Sequence, residues 1–164
     1  APLGTGLLYV RREKIAGLWP LMAAGPDLDN DIRKFEEIGT HPEAPALAIA
    51  DAVAFHQGLG GARKEARMRY TRDRWAKEVL ATGRARLHCS LDPRFSCGIG
   101  TVRVDGIDSA KLSEWLWEKH SIFTTAIKHP EFEGVRVTPS VYTTPAELAK
   151  FIDAMQKAIR NGIG

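Results

Sequence analysis

The chain has 164 residues, about one ordinary domain's worth, of which 44% are hydrophobic and 26% charged; that balance predicts a packed core and excludes a disordered chain. Its 23 Lys and Arg against 20 Asp and Glu leave a net charge of +3, and the two signs alternate through residues 11–14 and 33–37, so no nucleic-acid partner is expected. No apolar run approaches the roughly 20 residues of a membrane-spanning helix, and the two cysteines cannot form a disulfide-dense scaffold.

The chain opens on Ala1-Pro2-Leu3-Gly4-Thr5-Gly6 and runs directly into the strand-like Leu7-Leu8-Tyr9-Val10. A glycine-rich turn feeding a strand normally sits inside a domain, so a preceding portion is expected. On this reading residues 1–30 are the trailing edge of a larger α/β domain and residues 31–164 a small domain with its connecting helices. Residues 12–22 predict a short helix or turn, since Gly17 and Pro20 bar anything long. Residues 25–31 carry turn chemistry. Leu47, Ala50, Val53 and Ala54 recur at helical spacing and predict a helix over 45–57, ended by Gly58-Leu59-Gly60-Gly61.

Residues 62–82 contain no Pro or Gly and place Met68, Trp75 and Val79 on one face of a long amphipathic helix. The other face carries Arg63, Lys64, Arg67, Arg69, Arg72, Arg74 and Lys77. Glu65, Asp73 and Glu78 are interleaved, so it reads as a solvated face laced with ion pairs rather than a phosphate or nucleic-acid surface.

Beyond this helix the pattern changes to short β-branched runs at 86–90, 100–104, 122–127 and 135–138. Between the second and third, Asp108 is a good N-cap for a helix carrying Leu112, Trp115 and Leu116. After the fourth, Thr144-Pro145-Ala146-Glu147 is a capping box with proline at the first helical position, followed by Leu148, Phe151, Ile152, Met155 and Ile159. The order β-β-α-β-β-α predicts an α+β fold in which a small, mostly antiparallel sheet is covered on one face by helices. The long helix and the remnant strand precede it.

Complete catalytic constellations are absent from the sequence. His41, His56, His88, His120 and His129 show no ligand spacing and read as structural, and no Gly-x-Ser-x-Gly elbow occurs. Cys89 and Cys97 read as reduced, half-buried thiols, with pairing between them the alternative. Two local features point to anions. Gly39 and Thr40 stand just before a helix, where backbone N–H groups, the helix dipole and a hydroxyl converge on a phosphate; the alternative is that Thr40 serves only the turn and the helix cap. Arg136 lies between Val135 and Val137 on a strand, so alternation exposes it, and its planar fork suits a carboxylate.

Three segments in order resemble the C-terminal part of a class V aminotransferase, a fold type I enzyme that uses pyridoxal 5′-phosphate, in the branch related to isopenicillin N epimerase and the cysteine desulfurases or selenocysteine lyases. They are the turn and strand from Pro2 to Arg11, the segment Phe35-Glu36-Glu37-Ile38-Gly39-Thr40-His41-Pro42, and Arg136-Val137-Thr138-Pro139-Ser140-Val141-Tyr142-Thr143-Thr144. The resemblance implies that residues 1–30 border a large cofactor-binding domain. It implies that Gly39 and Thr40 hold the cofactor phosphate across a homodimer and that Arg136 binds the α-carboxylate of an amino-acid substrate. It also implies an enzyme whose cofactor-bearing lysine lies upstream of Ala1, so that this polypeptide alone is inert. The family often has Asn where this chain has Thr143, and no segment around Cys97 matches a catalytic cysteine. The competing reading is a stand-alone, non-enzymatic ligand-binding or dimerisation module. The cytoplasm is the default compartment.

Overall fold

A computed structural model describes residues 2–36 and 39–164. Ala1, Glu37 and Ile38, which belong to the segments singled out above, lie outside the described residues. The chain divides into two compact units, Ala1–Leu59 and Gly60–Gly164. No helix among the described residues is long and apolar enough to cross a membrane.

The first unit is built from short 3-10 turns, Arg12–Gly17, Pro26–Leu28 and Ile32–Phe35, followed by helix α1, Glu43–Leu59. Asp31 starts the third turn by accepting from the Arg33 backbone N–H at 2.9 Å and binding its guanidinium. That guanidinium holds the Asp31 carboxyl down at about 2. Lys34 is buried, and its Nζ donates to the carbonyls of Ile15 at 2.6 Å and Asp29 at 3.0 Å. One cation thereby ties the three turns together. Leu7, Leu8, Tyr9 and Val10 form no strand, because no neighbouring strand supplies their backbone N–H and C=O groups with partners. Ile15 is the only buried residue among residues 2–30, and α1 buries none of its residues.

The second unit has three helices, α2 (Gly61–Leu80), α3 (Ser109–His120) and α4 (Pro145–Asn161), and four strands, β1 (Ala85–Leu87), β2 (Gly100–Val104), β3 (Thr125–Lys128) and β4 (Glu133–Val137). The chain order from β1 on is β-β-α-β-β-α. All pairings are antiparallel, in the spatial order β1-β2-β4-β3.

The helices form where local chemistry stops and starts them. Asp108 accepts from the Ala110 and Lys111 amides, both at 3.0 Å, and α3 ends at Ser121, whose left-handed φ of 51° lets Ile122 N–H reach back to the Leu116 carbonyl at 3.0 Å. Thr144 and Glu147 close a reciprocal capping box on α4, worth about 1 kcal/mol. The apolar stripes of the three helices then meet one face of the sheet. Trp75 and Val79 from α2, Leu112 and Leu116 from α3, and Phe151 and Met155 from α4 enclose Val102, Val104, Val135 and Val137. Trp75 and Phe151 meet edge to face at 5.7 Å.

The basic face of α2 departs from the solvated surface expected of it. The Arg69–Glu65 ion pair is present, one turn apart. Arg72, however, is buried: it donates to Asp73 Oδ1 at 2.8 Å, to the Ser96 hydroxyl and to the Leu91 carbonyl at 3.2 Å. Arg67 likewise reaches the Thr143 carbonyl at 2.8 Å. These cations hold the chain's own loops.

Candidate functional site

The sheet has one covered face and one open face, and the register decides which side chains share the open one. Val102, Val104, Val135 and Val137 point to the helices, so by alternation Thr101, Arg103, Gly134 and Arg136 point away. Thr101 pairs with Arg136, and Arg136 with Thr125. On the next rung Arg86 pairs with Arg103. Just beyond β1, His88 N–H donates to the Thr101 carbonyl at 2.9 Å, which extends the first row.

Arg136 is exposed, as its position between two buried valines requires. Its sole polar contact among the described residues is a long one, 3.4 Å from Nη2 to Thr125 Oγ1. The strand that carries it is held on both sides by β2 and β3. Close approach of β2 to β4 depends on Gly134: a Cβ there would lie 2.8 Å from the Val102 carbonyl oxygen and 2.8 Å from Thr101 Cγ2.

The segment that follows β4 is fixed by Thr143. Its hydroxyl accepts from Ser140 N–H at 2.9 Å, its N–H donates to the Ser140 carbonyl at 3.1 Å, and its carbonyl accepts from Arg67. A threonine therefore closes this turn.

Gly39 and Thr40 belong to the first unit. Gly39 has φ +77°, a left-handed conformation that suits glycine, and its carbonyl bonds His41 Nδ1 at 2.8 Å. Thr40 is exposed and stands three residues before α1, and its hydroxyl has no partner among the described residues. Within this unit a cavity of about 360 Å³ is lined by Gly4, Thr5 and Gly6 on one side and His41, Pro42 and Pro45 on the other. Two of the three segments singled out in the sequence thus meet at one cavity.

The open face also carries residues that sequence reasoning passed over. Arg86, His88, Arg103 and His129 line a cavity of about 220 Å³ together with Phe132 and Glu133. Phe132 lies between the two imidazoles, 5.6 Å from His88 and 5.3 Å from His129. Arg103 is ion-paired to Glu133. Cys89 and Cys97 are both free and half-buried. Among the described residues no group of three or more His, Cys, Asp or Glu is placed to hold a metal ion.

No protein-family model matches the chain. It is similar to an isopenicillin N epimerase of Streptomyces clavuligerus, with 28% identity over a 173-residue alignment that covers 94% of this chain and 43% of the relative. A second isopenicillin N epimerase, of Amycolatopsis lactamdurans, is 27% identical over 96% of this chain and 44% of its own length. In fold the chain is similar to the apo structure of a cysteine desulfurase from Thermococcus onnurineus NA1, with a TM-score of 0.74 at 18% identity, over 93% of this chain and 42% of that one. The chain spans less than half the length of the curated relatives it matches.

Proposed function

We propose, from the premise that this chain is a class V aminotransferase-like C-terminal part, that it supplies the substrate-carboxylate clamp and a phosphate contact of a pyridoxal-phosphate-dependent enzyme acting on an amino acid, as a transaminase, epimerase or lyase. The observation that carries the reading is Arg136. It is a guanidinium standing exposed on a strand paired on both sides, with one long contact to Thr125 and no carboxylate partner among the described residues. Such a group binds a planar carboxylate through two parallel hydrogen bonds and loses little by leaving its resting contact.

The residues present fit the phosphate of the cofactor. Thr40 offers an exposed hydroxyl, with no partner among the described residues, three residues ahead of a 17-residue helix, and its neighbour His41 rather than Thr40 itself lines the cavity of Gly4, Thr5 and Gly6. Pyridoxal phosphate, when bound, supplies an electron sink for the substrate's α-carbon. Thr40 and Gly39 would hold its phosphate, in a homodimer that of the neighbouring copy, and Arg136 would orient the amino acid. The resemblance puts the cofactor-bearing lysine a few residues before the glycine-rich turn, and no lysine of this chain, Lys14 being the nearest, holds a matching place, so the polypeptide alone is expected to be inert.

The stand-alone module is favoured less. A self-contained domain would bury the apolar residues near its start, yet Leu7, Tyr9, Trp19 and Leu21 are all more than 80% exposed.

The test is to incubate the chain with pyridoxal phosphate, reduce with borohydride and weigh the intact protein. No stoichiometric lysine adduct is expected, and one would overturn the inertness. In parallel, Arg136→Gln is expected to weaken binding of an amino-acid carboxylate at least tenfold, the cost of losing a charge-assisted pair. Unchanged binding would overturn the clamp.

A further inference from the structure

We infer that Thr125 is the positioning residue of the carboxylate clamp, its hydroxyl holding the Arg136 guanidinium in the posture that receives an amino-acid carboxylate. This rests on the reading of Arg136 as that clamp and assigns how the clamp is held.

The register sets what surrounds Arg136. Thr101 on β2 and Thr125 on β3 stand directly opposite it, while Gly134 lies two residues before it and Thr138 two residues after it on the same face. None of these four positions carries a charge. A carboxylate at 101 or 125 would pair with the guanidinium as Glu133 pairs with Arg103, and the clamp would be filled before a ligand arrived. Among the three threonines, Thr125 alone reaches the guanidinium, 3.4 Å from Oγ1 to Nη2. Thr101 instead brings its methyl Cγ2 over Gly134.

Thr125 is itself fixed from the other side of the sheet. Its neighbour Thr124 meets Ser113 of α3, whose Oγ donates to the Thr124 carbonyl at 3.1 Å and lies 2.9 Å from Thr124 Oγ1. Successive residues entering a strand face opposite ways, so the bonds that tie Thr124 to the helix layer turn Thr125 to the open face. β3 is an edge strand, and this anchor holds it at the end that carries Thr125. The contact also suits a clamp. A guanidinium has five N–H donors, and committing one of them to Thr125 leaves a full edge of the fork for two parallel hydrogen bonds to a carboxylate. An exposed arginine gives up rotamer freedom when it closes on a ligand, and a resting hydrogen bond that already limits that freedom lowers the cost of binding.

The experiment uses the whole 164-residue chain at fixed ionic strength, titrated with L-norvaline and with L-norvalinamide, which lacks the carboxylate. Binding and side-chain mobility are read from the arginine Nε–H resonances. The unmodified chain is expected to prefer norvaline at least tenfold, and Arg136→Gln to abolish that preference. Thr125→Val replaces the hydroxyl by a methyl that a strand accommodates. It should cut the preference about threefold, the worth of one hydrogen bond, and should raise the mobility of Arg136 Nε–H in the free chain. Thr125→Ser keeps the hydroxyl and should preserve both the preference and the mobility of the unmodified chain. A Thr125→Val chain with the full preference, or with Arg136 mobility unchanged, overturns the positioning role and leaves the clamp standing. A loss shared equally by Thr125→Val and Thr125→Ser overturns it too, since the hydroxyl is then not what matters. Equal affinity for acid and amide in the unmodified chain, or failure of both to bind, overturns the clamp itself.

Discussion

Replacing Gly134 by alanine adds one methyl group where the sheet has no room for it. The new Cβ would sit 2.8 Å from the Val102 carbonyl oxygen, 3.1 Å from the Val102 carbonyl carbon and 2.8 Å from Thr101 Cγ2. Two of those three atoms are backbone, and they belong to the rung that pairs β2 with β4, so no side-chain rotation relieves the contact. Overpacking of this kind costs about 1–3 kcal/mol. Working against it, Gly134 lies outside the left-handed region, so alanine also stiffens the unfolded chain and returns about 0.4–1 kcal/mol. The steric term is larger, and the net is a destabilisation of about 1.5 kcal/mol. For a unit of this size that lowers Tm by roughly 6–12 °C.

The assay is thermal unfolding followed by near-ultraviolet circular dichroism, with hydrogen exchange at Thr101 and Val102 to localise the effect. Exchange should accelerate at that rung and at Arg136 more than in α3. An alanine variant as stable as the parent, or one whose exchange rises uniformly, would refute the argument that close β2–β4 approach is what glycine provides here.

Legibility followed the range of the interactions. The capping box at Thr144 and Glu147 and the N-cap at Asp108 are decided within three residues, so the sequence displays them and the structure contains them. The alternation around Arg136 is equally local, and its exposure was readable. The run Ile122-Phe123-Thr124 has strand composition but is claimed by its helix neighbour. Ile122 N–H closes the end of α3, and the Thr124 carbonyl and hydroxyl meet Ser113 Oγ at 3.1 and 2.9 Å, so β3 begins only at Thr125. Leu7-Leu8-Tyr9-Val10 is the converse case, with strand propensity and no partner to express it. Burial of Arg72 depends on Leu91 and Ser96, both well beyond the reach of helical periodicity. The Arg86–Arg103 rung was hidden for a related reason. Each arginine looked like an ordinary solvent-facing residue of its own strand, and only the register, which no single strand encodes, makes them neighbours.

Two further substitutions probe the same framework. Arg72→Met keeps an unbranched apolar stem but removes the guanidinium and its bonds to Asp73, Ser96 and the Leu91 carbonyl; because Asp73 is then left without its cation, a loss of about 3 kcal/mol is expected in urea unfolding, and a change below about 0.5 kcal/mol would show that the loop over α2 does not depend on it. The helix caps should make the second unit acid-sensitive. The Asp108 carboxyl is held below the usual carboxylate range chiefly by the Lys111 amide, and that of Glu147 by the Thr144 amide. A carboxyl whose folded pKa is depressed contributes stability above its unfolded value and loses it as the pH falls through the folded one. Tm of the parent should therefore drop more between about pH 5 and about pH 2 than Tm of a double variant carrying Asp108→Asn and Glu147→Gln, whose caps do not titrate. Comparing the two slopes subtracts every other carboxylate in the chain, including Asp31, which stays ionised until about pH 2. Parallel slopes would mean that these caps stabilise the helices equally well when protonated, which is incompatible with carboxylates that hold two amides of α3 and the N-cap amide ahead of α4.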